Sequence, residues 1–173
     1  VSSGAVITEN GKPILDGNNA GWLKTGAFTN TQPTEYFSVT RIEAAGAYQT
    51  FASIGTSSPN QRQQIKVTNA NKLDLYAGTT LTSGTAKITG QYLVNITANG
   101  ASSALRSNGT AETTGNAGTL TGSGSELHLM TYMLNTSGER WRGGMQEFIV
   151  YASDQSTNRT GIETNINTFY SIF

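Results

Sequence analysis

Hydrophobic and polar positions alternate in short runs along most of this chain, and the runs are broken at close intervals by glycine, asparagine and threonine. Tyr36–Ile42 (YFSVTRI) and Tyr48–Ile54 (YQTFASI) are rich in β-branched and aromatic residues and predict strands. Ile65–Thr68 and Lys72–Tyr76 follow a polar loop, TSSPNQRQQ. In KLDLY the period of two places Leu73 and Leu75 on one side and Asp74 and Tyr76 on the other. Tyr92–Ala98, Ala104–Ser107 and Thr110–Thr114 are the next strands, the last two joined by Asn108-Gly109, the strongest hairpin signal in the chain. Asn10-Gly11 and Asp16-Gly17 are further turn dipeptides near the start. The segment from Thr114 to Glu126 is so rich in glycine that it reads as a loop before the strand Leu127–Met133.

The period changes only at the end. Met145–Tyr151 is a strongly apolar strand, and Ser156 stands where a helix N-cap belongs. Beyond it Ile162, Ile166, Phe169, Tyr170 and Phe173 recur at helical spacing. Turn signals about every ten residues describe a sandwich or jelly roll. The expected architecture is therefore an all-β antiparallel sandwich with one C-terminal α-helix, the helix capping an open end through an Ile162/Ile166/Phe169/Phe173 stripe. Residues 1–173 read as a single domain, a processed product or part of a longer polypeptide, because the chain starts at Val1 and shows no linker-like shift in composition.

Composition narrows the function. The net charge is zero and 13% of residues are charged, so no basic stripe exists for phosphates and nucleic acid is not an expected partner. The absence of cysteine removes disulfides, thiolate metal sites and a cysteine nucleophile. No apolar run is long enough for a membrane span, so membrane insertion is not expected.

The order NGASSALRSNGTAETTGNAGT, LHLMTYM, RWRGGMQEFIVYASDQSTNRTGIETNINTFYSIF resembles the laminin-G-like branch of the concanavalin A-like lectin/glucanase superfamily. The positions that carry the likeness are Asn108-Gly109, Gly118, Leu127–Met133, Met145, Glu147, Tyr151 and the segment from Ser156 onward. IKVTNANKLDLYAG and ENGKPILDGNN extend it over nearly the whole chain. Thr97 departs from it, standing where an apolar strand residue is usual, and the segment after Asp16 is abbreviated, as though a longer parent domain had lost its first strand or the partner strand came from elsewhere. The resemblance implies a concanavalin A-like jelly roll of the kind found in bacteriophage structural proteins and bacterial surface proteins, located on a virion or cell surface.

That fold hosts lectins, hydrolases and inert spacers, so chemistry must be argued from residues. Glucan hydrolysis needs two carboxylates about 5–5.5 Å apart for retention, or wider for inversion. No paired-acid run is present: Glu147 is alone on its strand, and His128 is the single histidine, so no catalytic residue is assigned. Carbohydrate binding calls for aromatic faces beside amides and charges. Tyr76 with Asp74, His128 with Tyr132, and the turn carrying Asn135, Arg140, Trp141 and Arg142 are the candidate glycan contacts. Calcium, common in the resembled family, finds one Asx-dense turn, Asp16, Asn18 and Asn19, which supplies one carboxylate where several oxygen ligands are wanted. The leading expectation is a non-enzymatic structural or attachment module working with other chains of a virion or surface assembly, as a homo-oligomer where copies pair through edges or faces. Carbohydrate binding to cell-surface glycans comes second, and a glucanase-type hydrolase third.

Overall fold

The computed structural model describes residues 7–17, 21–55, 61–132 and 139–173, and of 122–125 the backbone alone. Among these, a small hairpin of β1 (Thr8–Glu9) and β2 (Lys12–Pro13) precedes two antiparallel sheets. One sheet runs β13 (Thr110–Gly115), β12 (Ser103–Ser107), β11 (Gly90–Ala98), β6 (Thr34–Ile42), β15 (Gly144–Tyr151), β3 (Leu15–Asp16). The other runs β10 (Thr80–Ala86), β9 (Lys72–Tyr76), β8 (Arg62–Val67), β7 (Gln49–Gly55), β14 (Gly122–Leu129), β4 (Leu23–Lys24), with β5 (Phe28–Asn30) also paired to β14. They are called here the six-stranded and the seven-stranded sheet. Phe51, Ile54, Ile65, Val67, Leu73 and Leu75 meet Tyr36, Ile42, Val94, Ile96 and Leu105 in the core between them. Two glycine hairpins form as their sequences dictate. Asn10 and Gly11 take φ of 47° and 71°, and Asn108 and Gly109 take 49° and 74°, the left-handed pair that a two-residue turn between twisted strands demands.

The one α-helix among the described residues, α1 (Arg159–Tyr170), corrects three expectations. It does not cap an end of the sandwich; it lies on the outer face of the six-stranded sheet. Phe37, Val39 and Leu93 on that face form a second apolar cluster with Ile166, joined by Ile149, Tyr151, Ile162, Tyr170 and Ile172. The packing stripe is thus Ile162, Ile166 and Tyr170, spaced by four, while Phe169 and Phe173, one step aside, are each 57% exposed. The physical reason is that β6, β11 and β15 are apolar on both faces, so the outer face needs a cover. Nor does Ser156 cap the helix. The Asp154 carboxylate accepts the Ser156 N–H at 2.7 Å and turns the chain first, and Asn158 occupies the cap position with its side-chain amide donating to Gln155 at 3.1 Å rather than capping the helix.

A polar layer fixes the start of α1. Glu35, buried in β6, accepts the Gln155 N–H at 3.2 Å and the Asn95 amide at 2.8 Å. Arg106 donates to Asn95 and to Thr97, each at 3.1 Å, so Thr97 faces outward beneath this layer rather than into the core. Arg159 and Glu163 pair at 2.8 Å, one helical turn apart.

Three strand expectations also change. The glycine-rich stretch is not all loop: Gly122–Leu129 is strand β14, and Ala117 is buried with its carbonyl accepting the N–H groups of Ala77 and Thr79. Main-chain pairing, which needs no side chain, orders it. The strand expected through Met133 stops at Leu129, because Met130 adopts φ of 66° and turns the chain; Met133 lies outside the described residues. Thr80–Ala86 forms an edge strand on which Thr80, Thr82, Gly84 and Thr85 are exposed and the buried residue is Ser83, its hydroxyl accepting the Leu73 N–H at 3.0 Å, so it shows no hydrophobic alternation. At the Asp16-Gly17 dipeptide the Gly17 N–H donates to the Gly143 carbonyl, so this glycine serves close approach rather than a hairpin.

Candidate functional site

Register decides which side chains share the outer face of the seven-stranded sheet. Lys66 stands opposite Asp74 and Gln64 opposite Tyr76, while on the far side Gln64 stands opposite Ser53 and Ser53 opposite His128. Since Ile65, Leu73, Leu75 and Leu127 fill the core, the alternation puts Arg62, Gln64, Lys66, Asp74, Tyr76, Glu126 and His128 outside.

Beyond β14, Thr131, Glu139 and Arg140 seal part of this face. Thr131 offers its carbonyl to the Ser53 hydroxyl at 3.2 Å, and Arg140 bridges to Thr50. Glu139 accepts from Thr50 at 3.1 Å and from Gln64 at 2.6 Å. Thr50, Ser53 and Gln64 are consequently buried, with fixed hydrogen bonds.

Beyond the sealed zone an aromatic and cationic group remains half-exposed. The Arg62 guanidinium lies 4.4 Å from the Tyr76 ring centre and 5.4 Å from that of Tyr132. Beside it the Lys66 ammonium lies 5.0 Å from the ring of Tyr48, which is 44% exposed. Asp74 is buried beneath and accepts a short hydrogen bond from Thr82. Burial pushes the Asp74 carboxyl up from its ordinary value, while the Thr82 hydroxyl and the charge of Lys66 act against that shift. At the other end of the face Trp22 stacks on His128, ring centres 5.8 Å apart and planes 10° from parallel. Glu126 takes bonds from Lys24 and from His128, each 3.1 Å, and those bonds hold its carboxyl below the usual range.

No protein-family model matches the chain, and no curated protein does. Solved structures do. A heptameric SAP-like pentraxin from Limulus polyphemus superposes with a TM-score of 0.62 at 15% identity, over 88% of this chain and 76% of the other. A CBM40 of the Ruminococcus gnavus IT-sialidase, bound to α2,3-sialyllactose, gives 0.59 at 14% identity, over 79% and 95%. Domains LG4-5 of the mouse laminin α1 chain give 0.59 at 10% identity, over 86% of this chain and 45% of theirs. The fold is the concanavalin A-like, laminin-G-like jelly roll.

On this jelly roll the expected glycan contacts separate. Asp74, Tyr76, His128, Tyr132 and Arg140 come together on one sheet face, although His128 stands at the opposite end from Tyr76. Trp141 does not belong with them. It is 0% exposed, edge-on to Phe51 at 5.4 Å, with its indole N–H toward the Gly144 carbonyl at 3.4 Å. The expectation of a ligand-contacting Trp141 is corrected: a large apolar ring flanked by glycines gains more from the core than from solvent. Arg142 is exposed and its N–H donates to the Gln49 side chain, and Asn135 lies outside the described residues. Of the calcium candidates, Asp16 sits 3.8 Å from the Arg41 guanidinium, and Asn18 and Asn19 lie outside the described residues. Among the described residues no group of three or more acidic, histidine or cysteine side chains forms a metal cage.

Sequence reasoning passed over Arg62, Gln64, Lys66, Tyr48 and Trp22. The first three carried a usable signal: in RQQIKV the polar positions 62, 64 and 66 fall on one face by the period of two, which the reading of 56–64 as a loop concealed.

Proposed function

We propose that this protein is a non-catalytic, glycan-binding attachment module, with its site on the outer face of the seven-stranded sheet. One observation carries the reading: Tyr76 and Tyr132, both half-exposed, flank a single guanidinium, Arg62, on a face whose neighbouring hydroxyls and amides are already fixed. Tyrosine rings receive the apolar side of a sugar, and a guanidinium donates to its hydroxyl or carboxylate oxygens. Lys66 and Tyr48 extend the same combination along the face. The jelly-roll likeness to a domain bound to sialyllactose supports this reading, and glycan binding therefore ranks ahead of a purely structural role. The proposed setting is a phage virion or a bacterial surface structure, which the sequence resemblance supports, above all at Ser153–Asn167 (SDQSTNRTGIETNIN), with cell-surface glycans as the external partner.

A glycan array containing neutral, sialylated and uronic-acid sugars, read with purified protein, is the test. We expect Arg62→Ala and Tyr76→Ala each to weaken the strongest signal about tenfold or more, with an unchanged circular dichroism spectrum. Full binding by both variants, or no glycan bound by the parent, removes the proposal.

A further inference from the structure

The six-stranded sheet has one edge that its own strands leave largely uncovered. β15 pairs with β6 from Gly144 to Tyr151, whereas on its other side β3 reaches only Gly144 and Met145. From Gln146 to Tyr151 that second edge has no strand partner among the described residues. Proteins usually blunt such an edge with lysine, proline or a covering element. The run QEFIVY contains neither residue.

Along the same strand runs a groove walled by α1. It comprises two adjoining hollows of ≈ 990 Å³ and ≈ 550 Å³ that share Glu147, Gly161, Asn165 and Ile166. Glu147, Ile149 and Tyr151 of β15 supply the floor. A methyl added at Gly161 would meet nothing within 4 Å, so the helix leaves room here. Glu147 is the one charged residue lining either hollow, and among the described residues neither a cation nor a hydrogen-bond donor meets its carboxylate. Partial burial raises that carboxyl, as expected of an uncompensated acid.

We propose that this edge and groove dock an extended segment of a partner protein as an added strand, with a lysine or arginine of that segment pairing with Glu147. Main-chain groups of Gln146–Tyr151 supply the hydrogen bonds and the groove supplies side-chain selection, which is how strand addition divides affinity from specificity. A second copy of this chain fits less well. Gly144–Tyr151 carries no lysine or arginine, so β15 paired with its own copy brings no cation to Glu147.

The test uses blocked, fluorescent octapeptides of alternating valine and threonine, with lysine placed in turn at each threonine, against the same set bearing glutamate. Fluorescence anisotropy with the full chain should show at least one lysine peptide binding about tenfold or more tighter than its glutamate counterpart. N-methylation of alternate peptide nitrogens should abolish binding. Glu147→Gln should cut the lysine preference to about threefold or less without lowering the thermal midpoint. Equal binding of both sets, or none by any lysine peptide, overturns the proposal. So does a Glu147→Gln variant that self-associates with its peptide discrimination unchanged, because Glu147 then serves only to keep two edges apart.

Discussion

Replacing Trp141 with alanine tests whether this ring is a structural element of the sandwich. The indole is 0% exposed and packs edge-on against Phe51. Burial of an aromatic side chain removes about 150–250 Å² from water, which at about 25 cal/mol per Å² is about 4–6 kcal/mol. Relaxation into the vacated space would reduce that loss. Here it is limited, because two of the ring's neighbours are Gly17 and Gly143, which have no side chains to move in; their hypothetical β-carbons would already lie 3.1 and 3.0 Å from the indole. The expected cost of Trp141→Ala is therefore near the top of the usual range for such truncations, about 4–5 kcal/mol. For a chain of this size that lowers the thermal midpoint by about 8–20 °C. Scanning calorimetry and urea unfolding should agree on the value, and Trp141→Phe should recover more than half of the loss. A loss below about 1 kcal/mol would refute the reasoning, since it would mean that the ring is not packed as described.

Gly118→Ala should cost several kcal/mol, measured by urea unfolding, because φ is +90° and the new methyl would lie 2.3 Å from the Ala77 carbonyl oxygen. Asn108→Ala should cost about 1–2 kcal/mol, since this residue holds a left-handed turn and its side chain accepts the Leu93 N–H at 3.0 Å. Glu163 is buried against the sheet, and burial, opposed in part by Arg159 and Arg106, raises its carboxyl above the ordinary 4.5. The folded protein then holds that proton more tightly than the unfolded chain, so this group's contribution to stability falls as pH rises from 4.5 through the raised native value. Glu163→Gln should accordingly flatten the decline of unfolding free energy over that window; an unchanged pH profile would count against the assignment.

How much of this was legible depends on how each segment meets water. β6, β11 and β15 advertised themselves through consecutive apolar residues, such as Phe148-Ile149-Val150. The same runs held a message that was not taken from them: consecutive, rather than alternating, apolar residues mean burial on both faces, hence a cover for the outer face of the six-stranded sheet. β10 was invisible because an edge strand facing solvent can be built from threonine, serine and glycine. Trp141 was misplaced because tryptophan between two arginines has the composition of a binding loop, and only the three-dimensional neighbours, Phe51 and two glycines, reveal a core site. In the candidate site, Asp74, Tyr76 and His128 follow from alternation, whereas Tyr132 lies past the turn at Met130, where alternation no longer holds. Arg62 is the side chain that joins Tyr76 to Tyr132, and it depends on a register between β8 and β9 that no local pattern specifies.

The position of α1 has a consequence for how the module meets its surroundings. With the helix laid across it, the six-stranded sheet becomes the middle slab of a three-layer wall, with apolar clusters on both faces of β6 and β11. The amides of β6 and β11, each paired with a strand on either side, should be the slowest to exchange with deuterium. The opposite wall, tiled with tyrosine, lysine and arginine, is left as the broad sheet surface turned to the medium, so the molecule has a front and a back. Many copies mounted in one orientation would show the same front together, and weak contacts at each would add up through avidity.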